Sequence, residues 1–270
     1  MPRKREVGMR VAVVGLGEAG SIYAADLPAR GASVVGTDLH VALAPASVAL
    51  AAGIPEAVRG ADVVLSLVGA SSAASVLDEA LPAMHAASVY ADMNTSGPED
   101  KRRLAAAAAG RGIPFVDVAI MAPVPRARID TPLLLSGTGV PRLRAHLEQL
   151  RIPATDVGAE PGAAARLKLL RSVFMKGLAA VVVESVTAAE IFGAEDWLIN
   201  QIAAELGGSG RSVVDHLIDG TTKHAVRREA EMLEAREFLA SLDAPHPVTD
   251  ATIEWLRAIA GRRGGQTPAR

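Results

Sequence analysis

The sequence predicts an α/β fold: a doubly wound, parallel sheet followed by an all-helical domain. Three observations lead there. Short β-branched runs alternate with helical stretches through the first half of the chain, the pattern of βαβ units. A glycine/proline break at 158–162 (GAEPG) ends that alternation. Beyond it no strand pattern recurs, and one helical run of about 30 residues, roughly 45 Å long, begins at Ala163.

Arg10–Gly15 (RVAVVG) is closed by glycine, as expected of a strand buried on both faces. A helix over Glu18–Arg30 follows, then strands at Ser33–Thr37, Val63–Val68, Val89–Asp92 and Phe115–Ala119. Between them helices are expected at Ala42–Ala52, Ala73–Met84 and Pro98–Arg111. Leu133–Gly137 adds a strand and Pro141–Gln149 a short helix. The second half reads as helices at Ala163–Phe192, Asp196–Leu206, Ser212–Asp219, His224–Ala240 and Val248–Ala260. The expected plan is a disordered basic start (1–8), an α/β domain (9–158), an all-helical domain (159–262) and a disordered glycine-rich tail (263–270). No internal repeat is visible.

Composition removes several function classes. Lys and Arg number 28 against 30 Asp and Glu, a net charge of −2, so no basic surface advertises nucleic acid. Aromatics at 3% are too few for base-stacking platforms. The absence of cysteine excludes disulfides, thiolate nucleophiles and cysteine metal sites. His40, His85, His146, His216, His224 and His246 form no pair with metal-ligand spacing, so no metal is expected. The most apolar window, Phe174–Phe192, carries Lys176, Glu184 and Glu190, whereas a membrane span needs about 20 mostly uncharged residues. No apolar segment of signal type follows MPRKREVG. A cytoplasmic chain with no membrane anchor is the expectation.

The sharpest local motif is Gly15-Leu16-Gly17-Glu18-Ala19-Gly20, a G-x-G-x-x-G that closes a predicted strand and opens a predicted helix. That context gives it meaning. The first glycine permits the tight turn, the second lets backbone approach a pyrophosphate, and the third lets helix and strand pack closely. Free N–H groups at the helix N-terminus face the phosphates. A Rossmann-type dinucleotide domain is therefore predicted. Asp38 follows Gly20 by 18 residues, close to the ~20 expected for an acid on the adenosine ribose. It would repel a 2′-phosphate, and no arginine follows until Arg59, so NAD is favoured with NADP possible. Asp38 is equally placed to cap the helix expected after it.

On the long helix Lys168, Ser172 and Lys176 fall at i, i+4 and i+8, one face of an otherwise apolar stretch. Two lysines there are costly to bury unless they meet an anion or act chemically; a solvated stripe is the alternative.

Taken in order, the GLGEAG turn, the Asp92-Met93-Asn94-Thr95 turn, Asp117 in a strand and Lys168 opening a long helix resemble the β-hydroxyacid dehydrogenase superfamily. That superfamily includes 3-hydroxyisobutyrate dehydrogenases, tartronate semialdehyde reductases and, more distantly, 6-phosphogluconate dehydrogenases. The likeness runs from Arg10 to about Leu256. Through LKLLRSVFMKG (167–177) and HAVRREAEM (224–232), the second half is similar to a bacterial subgroup with an uncharacterised phosphogluconate-dehydrogenase-like C-terminal domain.

The resemblance implies roles position by position. Gly15 to Gly20 would hold the cofactor. Leu67, Val68 and Gly69 would run beside its ribose and nicotinamide. Asn94, in place of the family's serine, and Thr95 would lie near the nicotinamide. Lys168 falls on the catalytic lysine. Family members pair through the second domain, which implies a homodimer. Two departures stand out. The family's Asp-x-Pro-Val-Ser-Gly-Gly reads Asp117-Val118-Ala119-Ile120-Met121-Ala122-Pro123, where Met121 has no hydroxyl and Pro123 no N–H. The family's asparagine four residues beyond the lysine is Ser172, and the decarboxylating branch's glutamate is Met175. Decarboxylation of 6-phosphogluconate is therefore not expected.

His224, Arg227, Arg228 and Glu231 follow helical spacing and offer an arginine fork for a carboxylate or phosphate. A solvated, salt-bridging face is the alternative. With Met121, Ser172 and Lys176, His224 and Arg228 are the candidate substrate residues, and the substrate is expected to be a small anion. The expected reaction is hydride transfer between a nicotinamide and a hydroxyacid-like alcohol or carbonyl. Lys168 would serve as general acid/base, its pKa lowered by a neighbouring cation such as Lys176. The rival readings are imine (C=N) reduction on the same scaffold and a non-catalytic dinucleotide-binding sensor.

Overall fold

The computed structural model describes residues 8–38 and 48–264. The chain divides into two compact units, one ending at Arg166 and one starting at Leu167.

The first unit is built on an eight-stranded sheet. Its strands are β1 (Arg10–Val14), β2 (Ser33–Thr37), β3 (Ala49–Leu50), β4 (Val63–Ser66), β5 (Val89–Asp92), β6 (Phe115–Ile120), β7 (Leu133–Ser136) and β8 (Ala154–Asp156). They lie in the order β3-β2-β1-β4-β5-β6-β7-β8. The order reverses at β1, with β4 on its other side, and this places a ligand crevice at the carboxyl ends of β1 and β4. Strand periodicity divides the core between two faces. Val11, Val13, Val63, Leu65, Val116 and Val118 point to one side, and Ala12, Val14, Val64, Tyr90 and Phe115 to the other.

Helices α1 (Glu18–Asp26) and α6 (Val140–Gln149) cover the first face through Tyr23, Leu143 and Leu147. Helices α2 (Ile54–Val58), α3 (Ala73–Ala80) and α4 (Pro98–Ala109) cover the second through Val58, Leu77 and Leu104.

Four expectations are corrected. The helix expected to Arg30 ends at Asp26 and tightens into a 3-10 turn over Leu27–Arg30, because Pro28 has no N–H for the next helical bond. The helix expected over 42–52 lies partly outside the described residues. Its remainder holds β3, whose Ala49 and Leu50 pair with Val35 and Gly36 of β2. An open sheet edge outweighs alanine's helix propensity there. β7 runs antiparallel to β6, since the link carries only the four-residue α5 (Val124–Ala127) and no helix to cross the sheet. β8 and α2 carry no signal in the sequence, because neither is long enough to display a period. The expected disordered ends lie outside the described residues, except that the last helix reaches Gly264.

α7 runs over Ala163–Phe192, the span predicted. Its first turn belongs to the first unit and is capped there by side chains: Ala165 N–H donates to Asp117 Oδ2 (3.0 Å) and Ala164 N–H to Ser136 Oγ (3.0 Å). A carboxylate at a helix start satisfies orphan donors and complements the helix dipole. The second unit is helical throughout its described residues. It comprises the rest of α7 with α8 (Glu195–Glu205), α9 (Gly210–Lys223), α10 (Ala225–Ser241) and α11 (Pro247–Gly264). Ala179, Val182 and Val186 of α7 pack on Ile199, Val214 and Leu217. Met232 packs on Ile253 and Leu256.

Candidate active site

At the crevice, Gly15 turns with φ 93°, and a Cβ on it would stand 2.5 Å from Leu67 O. Only glycine fits such a conformation and approach. Leu67 N–H in turn donates to Val14 O (2.7 Å), so Leu67 and Val68 form the wall facing Gly15, and Gly69 follows them. A Cβ on Gly20 would lie 1.8 Å from Gly15 O, whereas one on Gly17 would meet nothing within 4 Å. The loop is closed at two glycines by its own backbone and open at the third. That opening, at the start of α1, is where a pyrophosphate has to approach, and the residues present fit a dinucleotide. Glu18 is exposed in the first turn of α1, with Ala19 partly covered beside it.

Asp38 follows β2 directly, and its Oδ2 accepts the Leu16 N–H at 2.5 Å. The carboxylate is thus held at the mouth of the loop. The residues expected to form a helix that it might cap, 39–47, lie outside the described residues.

The Asp92–Thr95 turn sits at the carboxyl end of β5. Asn94 Nδ2 donates to Ser66 Oγ (3.1 Å) and to Asp92 Oδ1, and the Asn94 N–H donates to Asp92 Oδ1 (3.2 Å). Thr95 is exposed beside it. Under this turn lies Lys101, 1% exposed. Its Nζ donates to Asp92 O (3.0 Å), Asn94 O (2.8 Å) and Asp92 Oδ2 (3.0 Å), and stands 3.4 Å from Asp117 Oδ1. Sequence reasoning missed Lys101. The signal was present: Lys101, Leu104 and Ala108 share the buried stripe of α4, and a lysine on a core stripe needs a reason.

Met121 N–H is already given to Pro132 O (3.0 Å), and Pro123 has none to give. The segment after β6 therefore offers no backbone nest for a carboxylate at these two positions.

In the second unit the predicted stripe assembles around one carboxylate. Lys176 Nζ donates to Ser172 Oγ (2.9 Å) and pairs with Glu231 Oε2 (2.8 Å). Arg227 stands 3.7 Å from Glu231 Oε1. Arg228 donates to Thr221 Oγ1 (2.5 Å) on α9. Burial pushes the Lys176 pKa down against the pull of Glu231, and burial likewise lowers that of Arg228. Burial alone would raise the Glu231 pKa, but Lys176, with Arg227 and Lys168 adding to it, holds the carboxyl below its ordinary value.

Two corrections follow. His224 is not within the helical stripe: it is the junction between α9 and α10 (φ −120°, ψ 27°), its carbonyl accepting the Arg228 N–H at 2.9 Å. Lys176 is matched by Glu231 at ion-pair distance, which blunts any effect of its charge on Lys168. Among the described residues no group of acids and histidines could hold a metal, and no helix is long and apolar enough to cross a membrane.

Comparison with known proteins agrees with this geometry. Residues 10–145 match the NAD binding domain of 6-phosphogluconate dehydrogenase, and residues 189–259 match a domain of unknown function, DUF1932. A conserved hypothetical protein from Sinorhizobium meliloti is 30% identical, with a TM-score of 0.74 over 97% of this chain and 91% of its own. A conserved protein of unknown function, described as structurally similar to 3-hydroxyacid dehydrogenases, is 26% identical, with a TM-score of 0.72 over 94% of this chain and 98% of its own. The fold is also that of a 3-hydroxyisobutyrate dehydrogenase from Salmonella typhimurium, at 19% identity and a TM-score of 0.79 over 95% of both chains. With its glycine cradle, its acid after β2 and its uncharacterised helical domain, the chain belongs to the β-hydroxyacid dehydrogenase superfamily, in the group that joins a 6-phosphogluconate-dehydrogenase-type NAD-binding domain to that C-terminal domain.

Proposed function

We propose that this protein is an NAD-dependent oxidoreductase acting on a small anionic hydroxyacid or its carbonyl counterpart, with Lys168 as general acid/base. The observation that carries the reading is the cradle at Gly15–Gly20, open at Gly17 and held to Asp38 by the Leu16 N–H. Bound there, the nicotinamide dinucleotide supplies or accepts a hydride. Gly17 and the start of α1 hold its pyrophosphate. Asp38 binds the adenosine ribose and disfavours a 2′-phosphate. Lys168 gives the proton to the substrate oxygen in reduction and removes it in oxidation. Arg228, fixed by Thr221, attracts the substrate's anionic group, with Lys176, paired to Glu231 and bonded to Ser172, as its neighbour in the stripe. Met121 is the apolar substrate candidate and His224 a further polar one.

The test is a turnover screen with NADH and NADPH against carbonyl acids and cyclic imines. Reduction of a carbonyl acid with NADH preferred is expected. Preference for NADPH would overturn the role of Asp38, turnover of imines alone would establish C=N chemistry, and binding without turnover would mark a sensor. Arg228→Ala is expected to raise KM for the acid at least tenfold with kcat within threefold, about the size of a lost charge-assisted hydrogen bond. An unchanged KM removes Arg228 from the substrate side.

We propose further that the chain is a cytoplasmic homodimer. Phe174, Val181, Ile191 and Phe192 of α7 and Trp197 of α8 are 60% to 87% exposed, a density of large apolar side chains that marks an interaction surface. Light scattering at micromolar concentration is expected to give twice the chain mass; a monomer overturns the proposal.

A further inference from the structure

We infer that Lys101 is a positioning residue for the nicotinamide half of the cofactor, acting through Asn94. The inference rests on the NAD reading above and deepens it.

Lys101, Asp92 and Asp117 are all at most 1% exposed. Burying an ammonium between two carboxylates is a poor way to stabilise a domain, since apolar side chains of similar volume generally do as well or better. What such a group does supply is orientation. The Lys101 ammonium binds the carbonyls of Asp92 and Asn94 together with one Asp92 carboxylate oxygen, so three acceptors of one short turn converge on a single cation. The other Asp92 oxygen takes both the N–H and the Nδ2 of Asn94.

The Asn94 amide is thereby locked in one sense. Flipping it would set its oxygen against a carboxylate. In the locked sense Nδ2 is satisfied by Asp92 and Ser66, while Oδ1, on a side chain only 5% exposed, accepts no hydrogen bond from the described residues. Buried acceptors are nearly always paired, so this one calls for a donor from a ligand. Its place fits. Asn94 follows β5, which neighbours β4, and its amide rests on Ser66 at the carboxyl end of β4, one wall of the ligand crevice. The glycine loop at β1 takes the pyrophosphate, which leaves the nicotinamide half to meet Asn94. The donor there is the carboxamide N–H.

The experiment measures Kd for NAD, for ADP-ribose, which lacks the nicotinamide, and for the 3-acetylpyridine analogue of NAD, which lacks the amide N–H. In the wild type NAD is expected to bind about tenfold tighter than ADP-ribose, the size of one good hydrogen bond. Asn94→Ala and Lys101→Met are each expected to erase that advantage while changing ADP-ribose affinity less than twofold. The double variant should be no weaker than the poorer single one, because Lys101 acts through Asn94. NAD is likewise expected to bind about tenfold tighter than the acetylpyridine analogue, which has no amide N–H to give, and equal binding of the two would overturn the inference.

Equal loss for NAD and ADP-ribose in Lys101→Met, or additive losses in the double variant, would reduce Lys101 to a structural role and overturn the inference. Should Lys101→Met fail to fold, Asp92→Asn, which keeps shape and breaks the hold on Asn94, carries the same expectation and the same reversal. A wild type that binds NAD and ADP-ribose alike defeats this inference alone; one that binds neither defeats the NAD reading itself.

Discussion

Lys168→Met is expected to bind NAD as the wild type does and to lose about 10²- to 10⁴-fold in kcat, the usual worth of a positioned general acid/base. Methionine matches lysine in length and helix propensity, so α7 keeps its course from Ala163 to Phe192. What disappears is the only proton donor proposed for the substrate oxygen. The loss should fall mainly on kcat, because the holds proposed for NAD and for the substrate's anionic group lie at other residues. A variant that turns over within threefold of the wild type would remove Lys168 from the reaction. An equal rise in KM with kcat intact would recast it as one more binding cation beside Glu231.

Gly20→Ala is expected to destabilise the first unit by about 3 kcal/mol, roughly 10 °C in Tm for a unit of this size. A Cβ there would sit 1.8 Å from Gly15 O, which is backbone and cannot swing aside. α1 would have to lift from the loop, and Tyr23 and Ala24 are buried beneath it. Gly17→Ala is the matched control. Gly17 has φ −63°, a value alanine adopts freely, and its Cβ would meet no atom. That variant is expected to keep the wild-type Tm and lose NAD affinity at least tenfold, because the new methyl occupies the space the pyrophosphate needs. Thermal melts and NAD titration of the two proteins decide the matter. A wild-type Tm for Gly20→Ala, or wild-type NAD affinity for Gly17→Ala, would contradict the cradle as described.

Much of this was legible from local pattern. β2, β5 and α7 have the bounds read from the residues, because a β-branched run closed by a turn residue and a long helical period are local signals. The glycine loop was legible for the same reason: Gly15 turns at φ 93° and Gly20 meets the Gly15 carbonyl five residues back. Lys168, Ser172 and Lys176 could be placed on one face from helical geometry alone, and Lys176 does reach Ser172. His224 could not be placed this way, because spacing says nothing about where one helix stops and the next begins.

Local pattern in the chain was enough for the class of sheet, the place of the glycine cradle and the residues of the cationic stripe, since each depends on near neighbours. It took the folded chain to show that β7 runs against β6, that Asp117 caps α7, that Glu231 pairs with Lys176, and that Lys101 lies buried beneath the Asp92–Asn94 turn. Those arrangements are pairings between groups remote in sequence, and charge and hydrogen bonding fix such partners only once folding has excluded water from between them.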